Sequence, residues 1–418
     1  MFEFGRDLRR LFEKARDSYD LGWLELVSVG LIETEARHQS TDAGRVSCST
    51  PFESWMRAAA LWREHGRRTG SVQSLQKAEQ AGRDAAQAAK TDDQAMRAAL
   101  DVGQTSLLAF DLYGSPKRLT GLISSLERLP DARRNETATE VLALKARVVA
   151  RQARVSADPD KMAAAAIQLT DAISRLPAKS MASNEELKLD QAALSLEAGL
   201  VTRDARLLDQ AGRDLRVLVE RALPDERPVS RARALALCGT GMAALSVIAA
   251  DTASRNQAHA LFEAAAEQFT ADHSPLDWAA IQFLLSERGS ASEPSLAQAR
   301  AITDIPGLLL GAMIRERTLA HRIAEGEKTG NVPVLKAIKL ELRQRLEHKG
   351  DDIHPIDWAS DQITLARVSL ALSRGYADLH PDMGMALYEA ADVAHEAGAS
   401  SLAQKSRDLM ALFKARQA

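Results

Sequence analysis

His273-Ser274-Pro275-Leu276-Asp277-Trp278-Ala279 returns 80 residues later as Ile353-His354-Pro355-Ile356-Asp357-Trp358-Ala359. Both copies continue alike, with Gln282 and Gln362 four residues after the tryptophan and Leu285 and Leu365 seven after it. Repetition on this scale marks stacked supersecondary units. Each copy joins a proline suited to the first position of a helix, an acid favoured by the positive helix start, and a tryptophan large enough to fill a core. Pro275, Asp277, Trp278 and Pro355, Asp357, Trp358 therefore read as structural anchors of repeat joints. His273 and His354 beside them lack metal-ligand spacing and read as exposed turn residues.

Outward from this phrase, Leu129-Pro130, Leu176-Pro177 and Leu223-Pro224 each close an amphipathic segment, and Pro275, Pro306 and Pro355 continue the series. Proline stops a helix because it lacks an amide donor and disfavours helical geometry before it. Each interval holds about two helices and two turns at a rise of ~1.5 Å per residue. The pattern predicts an all-α solenoid of seven or eight helical hairpins over residues 51–418. Residues 1–50 read as an N-terminal helical cap and polar loop, with helix over 1–33 and an exposed loop over Thr34–Thr50. Ser400 to Arg416 reads as the closing helix.

Composition agrees. Alanine, the best helix former, supplies 74 of 418 residues, while aromatics are 4% and prolines 13, a poor basis for a β-sandwich or barrel. The balance of 54 basic and 57 acidic residues gives a net charge of −3 and no attraction to nucleic acid. Arginine outnumbers lysine 40 to 14, which with the alanine content suits a GC-rich coding genome. Cys48 and Cys238 form no disulfide framework and no zinc motif, and no metal or cofactor is expected. The N-terminus lacks the layout of a signal peptide, and the apolar run Leu21–Ile32 is too short to span a bilayer, so a cytoplasmic location is expected.

The stretches Ala260-Leu261-Phe262-Glu263-Ala264-Ala265 and Ala386-Leu387-Tyr388-Glu389-Ala390-Ala391 set an aromatic beside small residues, as tight helix stacking requires. Together with the Pro-Leu-Asp-Trp-Ala phrase, Gln282 and Leu285, they resemble bacterial tetratricopeptide repeat (TPR) arrays, best over 257–290 and 351–400. The intervals of 47–51 residues depart from that family's ~34-residue unit, and a HEAT-like array of ~40–47 residues stays open. The resemblance implies a right-handed superhelix whose concave face binds a peptide or protein; it does not imply a catalytic activity. Glu287 and Arg367, two residues after the leucine of each phrase, are candidates for partner binding on that face.

Other motifs reduce to packing. Gly239-Thr240-Gly241 follows no strand and reads as close helix contact. Ser74-Leu75-Gln76-Lys77 matches Ser-x-x-Lys without the companion motifs of a serine nucleophile. The sequence therefore points to a non-enzymatic interaction scaffold or adaptor. The alternatives are a sensor module acting through a partner effector, or a peripheral membrane scaffold using the amphipathic segment 1–16, whose Asp7 and Glu13 weaken attraction to anionic lipid.

Overall fold

A computed structural model describes residues 21–129, 135–177, 181–286, 293–349, 353–373 and 379–417. Among them the chain is all-α, a solenoid of helices packed on their sequence neighbours. A short 3-10 turn, Leu21–Leu26, precedes α1 (Val29–Ala43). Eight hairpins follow: α2 (Pro51–Thr69) with α3 (Val72–Ala88), α4 (Asp92–Tyr113) with α5 (Pro116–Glu127), α6 (Asn135–Ser156) with α7 (Pro159–Arg175), α8 (Met181–Thr202) with α9 (Ala205–Arg221), α10 (Pro228–Ile248) with α11 (Thr252–Gln268), α12 (Pro275–Ser286) with α13 (Glu293–Ile302), α14 (Leu309–Thr329) with α15 (Val332–Lys349), and α16 (Pro355–Leu372) with α17 (Met383–Glu396). A last helix, α18 (Ser400–Gln417), packs on α17. Hairpin starts are spaced 41, 43, 46, 47, 47, 34 and 46 residues, so the 34-residue period occurs once, between Pro275 and Leu309.

One turn design repeats through the array. The first helix of a hairpin ends on a left-handed residue, at Gly70, Gly114, Ala157, Arg203, Ala250 and Gly330. Each is followed at once by a short polar residue. The side chains of Ser71, Asp158, Asp204, Asp251 and Asn331 accept amide hydrogens from the first turn of the second helix, which would otherwise lack partners. Five residues after the left-handed position, Leu75, Leu119, Met162, Leu208 and Leu335 are buried. Three of these leucines lie against a glycine of the preceding helix. A Cβ at Gly66, Gly199 or Gly326 would stand 2.7, 2.8 or 2.9 Å from Leu75, Leu208 or Leu335.

Proline opens α2, α5, α7, α10, α12 and α16, and the described helix ends at Glu127, Arg175 and Arg221 precede the predicted Leu-Pro stops. Gly239 lies against the Phe262 ring and Gly241 against Leu196, so the Gly-x-Gly is close packing between helices. The Thr34–Thr50 stretch differs from its sequence reading: α1 continues through it to Ala43. Thr34, Ser40 and Thr41 donate their hydroxyls to carbonyls four residues back, and Trp62 Nε1 donates to Ser40 Oγ. Polar side chains satisfied in this way do not stop a helix whose Ile32 and Ala36 are buried on α2. Residues 1–16 lie outside the described residues.

The chain forms two compact units, residues 1–107 with 121–288, and residues 108–120 with 289–418. In the first, the first helices of neighbouring hairpins pack directly on one another, α6 on α8 and α8 on α10. In the second, α14 packs on α16 in the same way. The first unit also closes on itself: α12 returns to α2, and the turn Leu21–Leu26 meets α8 and α10.

Candidate functional site

The row of first helices carries alternating charge. On α6, Arg147 holds Asp190 at 2.7 Å and Glu186 at 3.0 Å, Arg151 holds Asp190 at 2.7 Å, and Arg154 holds Glu197 at 3.0 Å, all three acids lying on α8. From the other side of α8, Glu185 pairs with Arg227 at 2.7 Å, at the start of α10. Arg233 of α10 then reaches Asp277 of α12 at 3.3 Å. Basic α6, acidic α8, basic α10 and acidic α12 are thus cross-linked through residues 39–44 apart. Asp190, caught between two guanidinium groups, has its carboxyl drawn down to about 2 against the cost of burial.

Where the first unit closes, the polar groups become dense. Arg67 and Arg68 end α2. Arg67 donates to Asp277 at 2.9 Å and to both oxygens of Glu64. Arg68 is fully buried; its Nε donates to Glu64 at 2.6 Å, and its terminal nitrogens donate to the carbonyls of Leu24, Val27 and His273. Burial opposes ionisation of Glu64, yet the two arginines hold its carboxyl down at about 2. Burial pushes the Asp277 carboxyl up, while Arg67 pulls it back. His273 is half-buried beside Arg68 rather than exposed, and burial together with that positive charge lowers its pKa.

Glu25 completes the junction. Its carboxylate accepts the Ser230 amide at 2.9 Å and the Ser230 hydroxyl at 2.6 Å, and pairs with Arg227 at 3.1 Å. These donors lie at the start of α10, where the helix dipole favours an anion. The side chain that binds here therefore comes from the chain's own N-terminal turn.

The second copy of the phrase uses its acid differently. Asp357 accepts the Gly307 amide at 2.8 Å and pairs with Arg315 of α14 at 3.1 Å. His354 is half-buried, its ring beneath Gly307, so it too is not an exposed turn residue. Both histidines are covered because each precedes a helix start that packs against another part of its unit. Pro275 and Pro355 occupy the first positions of α12 and α16. Trp278 and Trp358 are half-buried, and Trp358 packs on a core of Ala312, Ile356 and Ala359. Arg367 is half-buried on α16, and Glu287 lies outside the described residues.

Titratable groups elsewhere are structural in their setting. Ser74 of the Ser-x-x-Lys match is buried, shares a hydrogen bond with His65 Nδ1 at 2.8 Å, and accepts no open approach; Lys77 lies over the Trp62 ring at 4.1 Å. Burial raises the Cys238 thiol to about 11. Among the described residues no group of three His, Cys, Asp or Glu side chains is arranged to hold a metal ion. Among them one helix, α10, is long and apolar enough to cross a membrane. In this fold α10 packs on α8, α9 and α11.

Sequence reasoning missed Glu25, Glu64, Arg67, Arg68 and Arg227. Only their positions at helix ends hinted at a role, since their partners lie up to 210 residues away. No family model matches the chain, and no curated protein matches it in sequence. Among solved structures it is similar to a circular tandem repeat protein with novel repeat topology and enhanced subunit contact surfaces, at 15% identity and a TM-score of 0.21, over 93% of this chain and 89% of that one.

Proposed function

We propose that the protein is a non-enzymatic interaction scaffold, a lengthened relative of the TPR design acting in the cytoplasm, which binds a protein or peptide along its row of first helices. One observation carries this reading: in the first unit the first helices α6, α8 and α10 pack side by side and are tied by ion pairs into a polar wall. Such a wall is rigid and pre-organised, which lowers the entropic cost of binding an extended partner. Its charges are largely paired, so recognition works through the order of acidic and basic helices rather than through net charge.

The test exchanges one rung without breaking it. Partners are captured on the immobilised full chain, identified by mass spectrometry and rebound in purified form. The double variant Arg154→Glu with Glu197→Arg keeps the pair and reverses its direction. Helix content should persist while affinity for the purified partner falls at least tenfold. A set of partners all bound equally well by the variant, or capture of small molecules alone, overturns the reading.

A further inference from the structure

The turn Leu21–Leu26 is held in the manner of a bound peptide. Six consecutive residues of 3-10 helix are a poor structure in isolation, because the hydrogen-bond geometry is strained beyond about three or four residues. Here outside groups hold it. The Arg68 guanidinium donates to the carbonyls of Leu24 at 2.6 Å and Val27 at 2.8 Å. Leu24 and Val27 are buried among Ile32, Ala58 and Trp62. Glu25 enters a preformed carboxylate site made by Ser230 N, Ser230 Oγ and Arg227. Arg68 is itself aligned by Glu64, and Arg227 by Glu185, neither of which belongs to the turn. The receptor side is thus built from α2, α8 and α10 and their flanks, and the ligand side is a short segment ahead of α1.

We propose that residues 21–27 are a tethered ligand, and that their site takes an acidic peptide of a partner protein in which a glutamate is flanked by large apolar residues. This deepens the scaffold reading and rests on it: it names a second, regulated place of binding, closed while the chain's own segment occupies it. A tethered segment acts at an effective concentration of about millimolar, so a free peptide enters only when the segment is weakened or the partner binds more strongly. Removing Glu25 leaves half-buried donors on Ser230 and Arg227 that a carboxylate from outside can satisfy.

The experiment uses the full chain and a fluorescent peptide with the sequence of residues 21–28. Wild type, Glu25→Gln and Glu25→Arg are compared by anisotropy, with helix content and thermal midpoint followed in parallel. The two variants should bind the peptide at least tenfold more tightly than wild type. A peptide carrying alanine in place of its glutamate should lose at least tenfold of that affinity. Folded variants that ignore the peptide overturn the proposal. So does loss of the fold in both variants, which would make the segment a fixed part of the core. A wild-type dimer that dissociates on Glu25→Arg would assign the site to a second copy of the chain, and likewise overturns it. None of these outcomes touches the Arg154–Glu197 test, so failure here and failure of the scaffold reading are separable.

Discussion

The two copies of the Pro-x-Asp-Trp-Ala phrase begin with the same contact and finish with different ones. Asp277 meets Arg233, 44 residues earlier, and Asp357 meets Arg315, 42 residues earlier, each on the first helix of an earlier hairpin. The remaining capacity of each carboxylate goes elsewhere. Asp277 takes Arg67, 210 residues away, and helps close the first unit. Asp357 takes the amide of Gly307 in a nearby loop of the second unit. A repeated phrase thus fixes one shared bond, while position in the array decides what the rest of the side chain does.

The comparison can be broken hardest at Arg68. Arg68→Ala leaves three carbonyls without their donor and Glu64 with one arginine in place of two, and should cost about 4 kcal/mol in the first unit while leaving hydrogen exchange in the second unchanged. Acid should act on the same unit. Glu64 and Asp190 are both drawn down to about 2, so their stabilisation is complete above the ordinary carboxylate range and is lost as pH falls from about 4.5 toward 2. For Glu64 alone this is about 3 kcal/mol, measurable as a falling denaturation midpoint over that window. Asp277→Ala and Asp357→Ala should each cost about 3 kcal/mol but differ in reach. The first should raise exchange in segments around residues 24 and 67 as well as its own helix; the second should stay local to residues 303–315. Gly307→Ala should cost about 2 kcal/mol in the second unit only, because φ is +78° and the new Cβ would stand 2.5 Å from the His354 ring. Smallest, Ala250→Gly should stabilise the first unit by about 0.5–1 kcal/mol, since Ala250 sits at φ +51° without glycine's freedom; a thermal melt checks it.

Much of the architecture was legible because proline and alanine act locally. The Leu-Pro stops, the Pro-initiated α12 and α16 and the hairpin count follow from such signals. The hairpin turns were harder to see. Ala157, Arg203 and Ala250 adopt a left-handed conformation that their side chains do not advertise, and only the polar caps after them, such as Asp158, Asp204 and Asp251, carry a readable trace. Helix α1 was hidden by hydroxyls that bond to their own backbone. Asp277 was legible as an anchor, but its junction with Glu25 and Arg68 was not. Its partners are separated by some 200 residues, and closing such distances is decided by the packing of the whole first unit rather than by any local pattern.

The alternation of basic and acidic first helices bears on how such a chain can lengthen. Inserting a single hairpin would set two helices of like charge face to face, arginine against arginine or carboxylate against carboxylate, at distances where each repels the other. Inserting two restores the order. The phrase at Pro275 and its echo at Pro355 both stand on acid-bearing first helices, two hairpins apart. From α6 to α12 the charge pattern therefore repeats over two hairpins rather than one, and parity sets which insertions keep its ion pairs.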